Sequence, residues 1–191
     1  MNILKNKKLI LGSKSPRRRQ LLTDAGFVFE MRMQDTNEDF DLSLPVLEVA
    51  ETLAIRKAEA LINSLTKDEI LITADSVVIL NNTIYNKPTT YDEGVRMLKT
   101  LAGQTHTVAT GVCLLSISKT VSFTSLTYVT FDQMTGEEID YYLVNHQPYD
   151  KAGGYGIQDW IGLCKVKSIE GSYSNVMGLP VRDVYDALKR F

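Results

Sequence analysis

The sequence predicts a mixed-sheet α/β fold. Helix-like and strand-like patterns alternate along the chain, a β-hairpin signal sits in the middle, and no repeat or linker interrupts the order. Residues 8–12 read as a short buried strand, with Leu9, Ile10 and Leu11 consecutive and Gly12 ending it. Ser15 can N-cap a helix whose first turn accepts Pro16; Leu21, Leu22 and Ala25 follow, and Gly26 stops it. Residues 27–33 alternate like a strand, and 35–44 form a polar, acidic surface loop. Pro45 is expected to start a long helix to about residue 65, with Leu47, Ala50, Leu53, Ala54, Ala58 and Leu61 at helical spacing. Residues 69–80 are β-rich, with an interruption expected at Ala74-Asp75-Ser76.

Asn81-Asn82 marks a hairpin turn returning through Thr83-Ile84-Tyr85. Thr90-Tyr91-Asp92-Glu93 has capping-box spacing for a helix to about residue 101. Strands rich in Val, Thr, Leu and Phe follow at 104–116 and 120–131. Thr135-Gly136-Glu137-Glu138 is a second capping box, opening a helix to about Asn145. Residues 147–162 form a glycine-rich loop, 163–169 a strand and 171–178 a second special loop. Pro180 opens a C-terminal helix with Val181, Val184, Ala187 and Leu188.

The 191 residues are 44% hydrophobic and 23% charged, within the range of one domain or two closely joined lobes. A chain of this size buries roughly 70% of its unfolded surface, so no disulfide or metal staple is needed. No apolar run is long enough to span a membrane. Cys113 and Cys164 form no CxxC or Cys/His cluster and read as buried hydrophobes in a reducing cytosol. Basic residues precede Leu9-Ile10-Leu11, but that run is too short for a signal sequence, so a cytoplasmic protein is expected.

Net charge is −2, which does not predict a nucleic-acid binder. Lys14, Arg17, Arg18 and Arg19 nevertheless place four of the 21 cations within six residues. The other 17 cations face 23 anions. A compact cationic site on an acidic protein suits a small polyanion; a solvated basic helix end is the plain alternative.

Four segments can carry chemistry. In Gly12-Ser13-Lys14-Ser15-Pro16-Arg17-Arg18-Arg19, a strand leads into a helix start. Free backbone N–H groups, two hydroxyls and fork-shaped arginines there suit phosphate; an ordinary capped helix fits as well. In Thr73-Ala74-Asp75-Ser76, a carboxylate between two β-forming runs is costly to bury unless paired, metal-bound or catalytic; a strand-end turn is the alternative. Lys87, in Asn86-Lys87-Pro88, and Lys57 could contact phosphate or be solvated cations. Glu38 could be a metal ligand or part of an ordinary acidic loop. The fourth segment, Asp150-Lys151-Ala152-Gly153-Gly154-Tyr155-Gly156-Ile157-Gln158, could read and stack on a base, or be a flexible loop. His106 and His146 lack a catalytic partner at dyad spacing, and GxSxG, HExxH, GxGxxG and Walker A motifs are absent.

Together these segments resemble the Maf family of nucleoside-triphosphate pyrophosphatases, also called septum formation proteins. The resemblance spans nearly the whole chain and includes Thr110-Gly111-Val112 and Ser172-Tyr173-Ser174-Asn175-Val176-Met177-Gly178-Leu179-Pro180. It implies a Maf/ITPase-like fold: a mixed twisted sheet flanked by helices, with the active site in a cleft between two lobes of a single domain over residues 1–191. It also implies hydrolysis of a nucleoside triphosphate to the monophosphate and pyrophosphate with Mg²⁺ or Mn²⁺. The glycine-rich run looks like that of the subgroup acting on dTTP and UTP. Asp75 falls on the proposed proton acceptor, and is also a candidate metal ligand. Arg17, Ser76 and Gln158 fall on substrate-selecting positions, and Ser13, Arg18, Lys57 and Lys87 on phosphate-contacting ones. Glu38 falls on the acidic metal position, with Asp39 adjacent to it.

The chain departs from the family pattern at Ser76, where threonine is common, and at Gly12, where alanine is common. The Ser76 change is expected to keep the chemistry and loosen base selection, and the Gly12 change to matter little. The expected partner is the nucleotide, with no nucleic acid and no membrane; a homodimer is compatible with this reading. A non-catalytic nucleotide-binding regulator of cell division is the competing class. An RNA-binding module is disfavoured by the compact basic cluster and the −2 charge.

Overall fold

The computed structural model describes residue 4 and residues 7–191, so part of the basic stretch read above for a leader lies outside the described residues. The elements in chain order begin β1 (Lys8–Leu11), α1 (Pro16–Asp24), β2 (Phe29–Met31), α2 (Val49–Leu61), β3 (Glu69–Leu80), β4 (Thr83–Tyr85) and α3 (Tyr91–Leu101). They continue with β5 (Thr105–Leu115), β6 (Thr120–Phe131), α4 (Gly136–His146), α5 (Trp160–Cys164), β7 (Val166–Glu170), α6 (Tyr173–Met177) and α7 (Val181–Lys189). The fold is α/β, as the alternation of patterns predicts. Its strands hydrogen-bond in the order β2-β1-β3-β5-β6-β7, with β4 paired to β3. The sheet is mixed: β1 runs parallel to β2 and β3, whereas β3/β4 and β6/β7 are antiparallel.

The chain divides into two compact units. The first comprises Met1–Asp75, Thr110–Ser125 and Gly178–Phe191, and the second Ser76–Ala109 and Leu126–Met177. In the first unit, Leu9, Leu11, Ile70, Ile72, Val112 and Leu114 pack with Leu22, Val184 and Leu188 of the helices. Ile10, Leu71, Cys113 and Leu115 pack instead with Ala54, Ala58 and Leu61 of α2. Successive side chains of a strand point to opposite faces, so consecutive apolar residues such as Leu9-Ile10-Leu11 need apolar cover on both. Arg32 makes a two-pronged ion pair with Glu69, at 2.8 and 3.0 Å, at the start of β3. Arg32 and the Thr66 N–H hold the Glu69 carboxyl down to about 2.

In the second unit, Val78, Leu80, Leu98, Leu101, Val129, Phe131, Tyr142, Leu143 and Tyr155 form the core. Asn81 and Asn82 both take positive φ, +50° and +59°, the backbone that a two-residue hairpin turn requires. Thr135 and Glu138 complete the expected capping box of α4. Thr90 caps α3, but the Glu93 carboxylate accepts from the N–H and hydroxyl of Thr89 instead of closing a box with Thr90.

Several expectations are corrected. Helix α2 begins at Val49, not Pro45, because residues 45–48 close a turn through Glu48 N–H to the Pro45 carbonyl. Leu47 therefore lies outside the helix and is exposed. Strand β3 runs without interruption through Ala74-Asp75-Ser76, although Asp and Ser favour turns. Residues 160–164 form a helical turn, so Leu163 and Cys164 are exposed and the strand starts at Val166. Cys113 alone of the two cysteines is buried, and burial pushes its thiol up to about 12. The 171–178 loop contains helix α6, whose buried Asn175 donates to the Val108 carbonyl and to Thr127 Oγ1 at 3.2 and 3.0 Å. Among the described residues, no helix is long and apolar enough to cross a membrane.

His106 is buried on β5. Its Nε2 shares a 2.7 Å hydrogen bond with the Tyr155 hydroxyl, its ring meets Phe131 edge-on, and its Nδ1 has no hydrogen-bond partner. Burial lowers its pKa from 6.5 to about 4. Between these values the unfolded chain binds a proton that the folded chain refuses. Stability is therefore complete above pH 6.5 and falls as the pH drops toward 4, by roughly 2–3 kcal/mol. Urea unfolding at pH 7 and pH 4.5 should show that loss in the parent chain and a shallower one in His106→Gln.

Candidate active site

The expected phosphate segment forms as a strand-to-helix turn in the first unit. Ser15 caps α1 by accepting from the Arg18 N–H, and Pro16 occupies the first turn, where a missing N–H costs nothing. Ser13 is buried beneath the turn. Its Oγ accepts from the Ser15 N–H at 3.2 Å and from Arg18 Nη1 at 3.3 Å. Arg18 Nε donates to the Gly178 carbonyl at 2.7 Å, which fixes the fork. Burial lowers the Arg18 pKa, opposed by the negative charges of Asp75 and Glu38 and assisted by the positive charge of Arg17. Lys14, counted with this cluster in the sequence, instead pairs with Asp35 on the surface.

Asp75 and its neighbour Ser76 are the two residues of β3 that are not buried. The Lys57 ammonium lies 2.5 Å from Asp75 Oδ1 and 2.7 Å from Glu38 Oε1, so one cation bridges both carboxylates. Lys57 and Asp75 are each largely shielded, with 17% and 15% of their side chains exposed, whereas Glu38 is half-exposed at 52%.

Two contacts that the sequence reading missed set this geometry. Thr73 Oγ1 donates to the Ala54 carbonyl at 2.6 Å, tying β3 to α2. Thr73 shares a strand face with Asp75, and Ala54 lies one helical turn before Lys57, so that bond brings Asp75 and Lys57 together. Arg56 Nη1 donates to the carbonyls of Asn37 and Asp39 at 3.0 and 2.5 Å, pinning the loop on both sides of Glu38. Glu38, not Asp39, is the residue that reaches Lys57. Gly111, on β5, admits the backbone of α2 so closely that a Cβ would strike Ala50 and Glu51. That contact accounts for the glycine of Thr110-Gly111-Val112.

The remaining predicted residues lie in the second unit. Lys87 is exposed just after β4, and Gln158 is exposed in the turn before α5. The Asn86-Lys87-Pro88 segment and the glycine-rich run come together, with the Gly153 N–H donating to the Asn86 carbonyl at 3.2 Å. Gly153 has φ +72°, and a Cβ there would lie 2.8 Å from Val78 Cγ2, so glycine is required for both backbone and space. The loop is thus built into the unit by specific contacts, which the flexible alternative does not require.

Chemically, the first unit offers three cations (Arg17, Arg18 and Lys57) against two carboxylates. A phosphate oxygen can take over the ammonium that now bridges Glu38 and Asp75, leaving both carboxylates as hard oxygen donors for a divalent cation. That Lys57 already holds a cationic centre against both oxygens shows that the pair accepts positive charge. Among the described residues, no group of three or more His, Cys, Asp or Glu is placed to hold a metal by itself. Two carboxylates supplemented by phosphate oxygens remain a donor set that Mg²⁺ takes.

An α/β sheet carrying carboxylates and cations beside a strand-to-helix turn defines a protein that handles phosphoryl groups. The family comparison makes the class specific: the model for "Maf-like protein" matches residues 8–191, and the chain belongs to that family. Relatives agree over nearly their full lengths. A Porphyromonas gingivalis protein named dTTP/UTP pyrophosphatase is 48% identical over 191 residues, covering 98% of this chain and 96% of the relative. Proteins of the same name from Phocaeicola vulgatus and Flavobacterium psychrophilum are each 44% identical. They cover 98% and 94% of this chain and 97% and 92% of their own.

Gly12 sits in a tight place. A Cβ there would lie 2.8 Å from Thr73 Cγ2 and 3.0 Å from Leu61 and Leu71. Thr73 cannot rotate away without giving up its bond to Ala54. Gly12→Ala should therefore destabilise the chain by roughly 1–2 kcal/mol, read as a lower urea midpoint at unchanged slope.

Proposed function

We propose that this enzyme hydrolyses dTTP and UTP, releasing pyrophosphate and the nucleoside monophosphate. The observation that carries the reading is the bridge from Lys57 to Asp75 and Glu38, beside a phosphate-suited turn, in a chain that matches dTTP/UTP pyrophosphatases over nearly its whole length. Ser13, Arg17, Arg18, Lys57 and Lys87 bind and align the triphosphate. Positioning and charge stabilisation supply most of the catalysis of phosphoryl transfer. Asp75 accepts a proton from the attacking water. The water oxygen bonds to the α-phosphorus as the bond from that phosphorus to the bridging oxygen breaks, and pyrophosphate leaves with the electron pair.

Glu38 and Asp75 would hold a Mg²⁺ or Mn²⁺ ion, which when bound withdraws negative charge from the phosphate oxygens. Gln158, which can donate and accept together, pairs with the O4 and N3–H edge common to uracil and thymine, and Ser76 assists that selection. The reading takes residues 1–191 as one functional domain in the cytoplasm, with free nucleotides as its partners. Carboxylates at an anion cradle weaken simple binding, so they favour turnover over a non-catalytic regulator.

The test is pyrophosphate release from dTTP, UTP, CTP, GTP, ATP and 7-methyl-GTP with Mg²⁺, with Mn²⁺ and with chelator. Metal-dependent release led by dTTP and UTP is expected; binding without turnover on any of them would return the chain to the regulator class. In the same assay Asp75→Asn should lower kcat at least ~100-fold with nucleotide binding retained. Near-normal turnover would remove Asp75 from its role. Gln158→Glu should cost roughly tenfold more on UTP and dTTP than on a generic phosphodiester. Equal losses would argue against base reading.

A further inference from the structure

Gln158 sits in a tight turn whose two ends meet at one hydroxyl. The Asp159 N–H donates to the Gly156 carbonyl at 3.0 Å, so Gly156-Ile157-Gln158-Asp159 closes as a four-residue turn with Gln158 third. Tyr142, from α4, reaches both ends. Its hydroxyl accepts from the Gly156 N–H at 2.9 Å and donates to Asp159 Oδ2 at 2.9 Å. One phenol thereby closes a ring around the turn, flanking Gln158 on both sides in sequence.

The surroundings fix that phenol. Tyr142 is fully buried, and its helix starts at the Thr135–Glu138 capping box. The His146 ring stacks on it at 5.1 Å between centroids. Ile157, between the two tied residues, is buried and holds the turn from beneath, while Gln158 alone of the four is exposed. Gly156 has no room for a side chain, since a Cβ would strike Asp159 Oδ2 and approach Lys151 Cε at 2.9 Å. Lys151 Nζ lies 3.8 Å from the same Asp159 oxygen and 2.8 Å from Asp150 Oδ1. The carboxylate is thus held between an ammonium and the phenol. Neither Tyr142 nor Asp159 has a part in the catalysis derived above.

We infer that Tyr142 is the positioning residue for base selection, acting through Asp159 and the Gly156 amide to hold Gln158 at one presentation angle. This rests on the proposed reading of Gln158 as the base contact. A side chain that reads a base by paired hydrogen bonds discriminates only when its backbone is held; a loosened turn lets the amide satisfy other base edges and averages the choice away. Hydrolysis itself, which the proposed function assigns to Asp75, Glu38 and the cations, does not depend on this hydroxyl.

The variants are Tyr142→Phe, which keeps the ring and removes both hydroxyl bonds, Asp159→Ala, which removes one, and Asp159→Asn, which keeps an acceptor. Each is compared with the parent chain in kcat and KM for UTP, dTTP and CTP, and in amide hydrogen exchange at Gly156. Tyr142→Phe should narrow the UTP-over-CTP ratio of kcat/KM about tenfold, mainly through KM for UTP. Its CTP kcat should hold and Gly156 exchange should speed up. Asp159→Ala should share the loss, and Asp159→Asn should restore most of the ratio. Equal losses on all three nucleotides, or an unchanged ratio with faster exchange, would overturn the positioning role. If Tyr142→Phe fails to fold, the Asp159 pair decides: no difference between alanine and asparagine overturns the role as well. A parent chain that turns over nucleotides without favouring UTP and dTTP would instead overturn the substrate reading on which the inference stands.

Discussion

The polar geometry at the candidate site of the first unit is arranged around a carboxylate in an otherwise buried strand. Ten of the twelve residues of β3 are buried, and the break falls at Asp75 and Ser76. A charge held in so apolar a strand needs a counter-charge and hydrogen bonds, or burial costs more than the fold returns. Lys57 supplies the counter-charge, and that one requirement propagates outward. Lys57 must come from α2, α2 must be fixed against β3, and the Thr73–Ala54 bond fixes it. Gly111 is bare because α2 presses its backbone against β5. Gly12 lies tightly against Thr73, whose hydroxyl is tied to Ala54.

The same cation also draws in Glu38 from a segment with no regular structure. Arg56, one residue before Lys57, holds the carbonyls on either side of Glu38. A loop is thereby given a defined geometry by two adjacent helix residues, one gripping its backbone and one its side chain. An ammonium bridging two carboxylates is an exchangeable arrangement. On the proposed reading, an arriving phosphate competes for the ammonium, and the released oxygens would serve as donors for a hard cation.

The second unit solves a different problem, with hydroxyl and backbone groups at its anchor points. Its glycine-rich run would be mobile on composition alone, yet residues 153–157 are buried and the run is anchored at three points. Asn86 receives the Gly153 N–H, the Tyr155 hydroxyl meets His106 in the core, and the Tyr142 hydroxyl ties Gly156 and Asp159. The Tyr142 and Tyr155 rings are buried, and their hydroxyls, desolvated with them, each find hydrogen-bond partners. The glycines are needed because partners come close, at Val78 for Gly153 and at Asp159 for Gly156.

Much of this was legible in the sequence, for local reasons. Ser15-Pro16, Asn81-Asn82 and the Thr135–Glu138 box specify structure through bonds to residues a few positions away, and each formed as read. The ordered motifs also point to the family that the comparison shows; Asp75 and Gln158 lie in those motifs, whereas the roles given to Lys57 and Glu38 follow only from the resemblance. The misreadings have separate causes. Ala74-Asp75-Ser76 looked like a break because its local preference is for a turn, and Lys57, eighteen residues away, overrode it. Leu163 looked like a strand residue, but the chain turns helical after Asp159 and leaves it exposed. Composition, caps, turns and motif order are properties of neighbouring residues, so the sequence by itself determined the α/β class, most element positions and the family. The bridging of Glu38 and Asp75 by one ammonium, and the closing of the Gln158 turn by Tyr142, depend on side chains distant in the chain that only packed helices and strands bring within 3 Å, so the tertiary structure alone decided them.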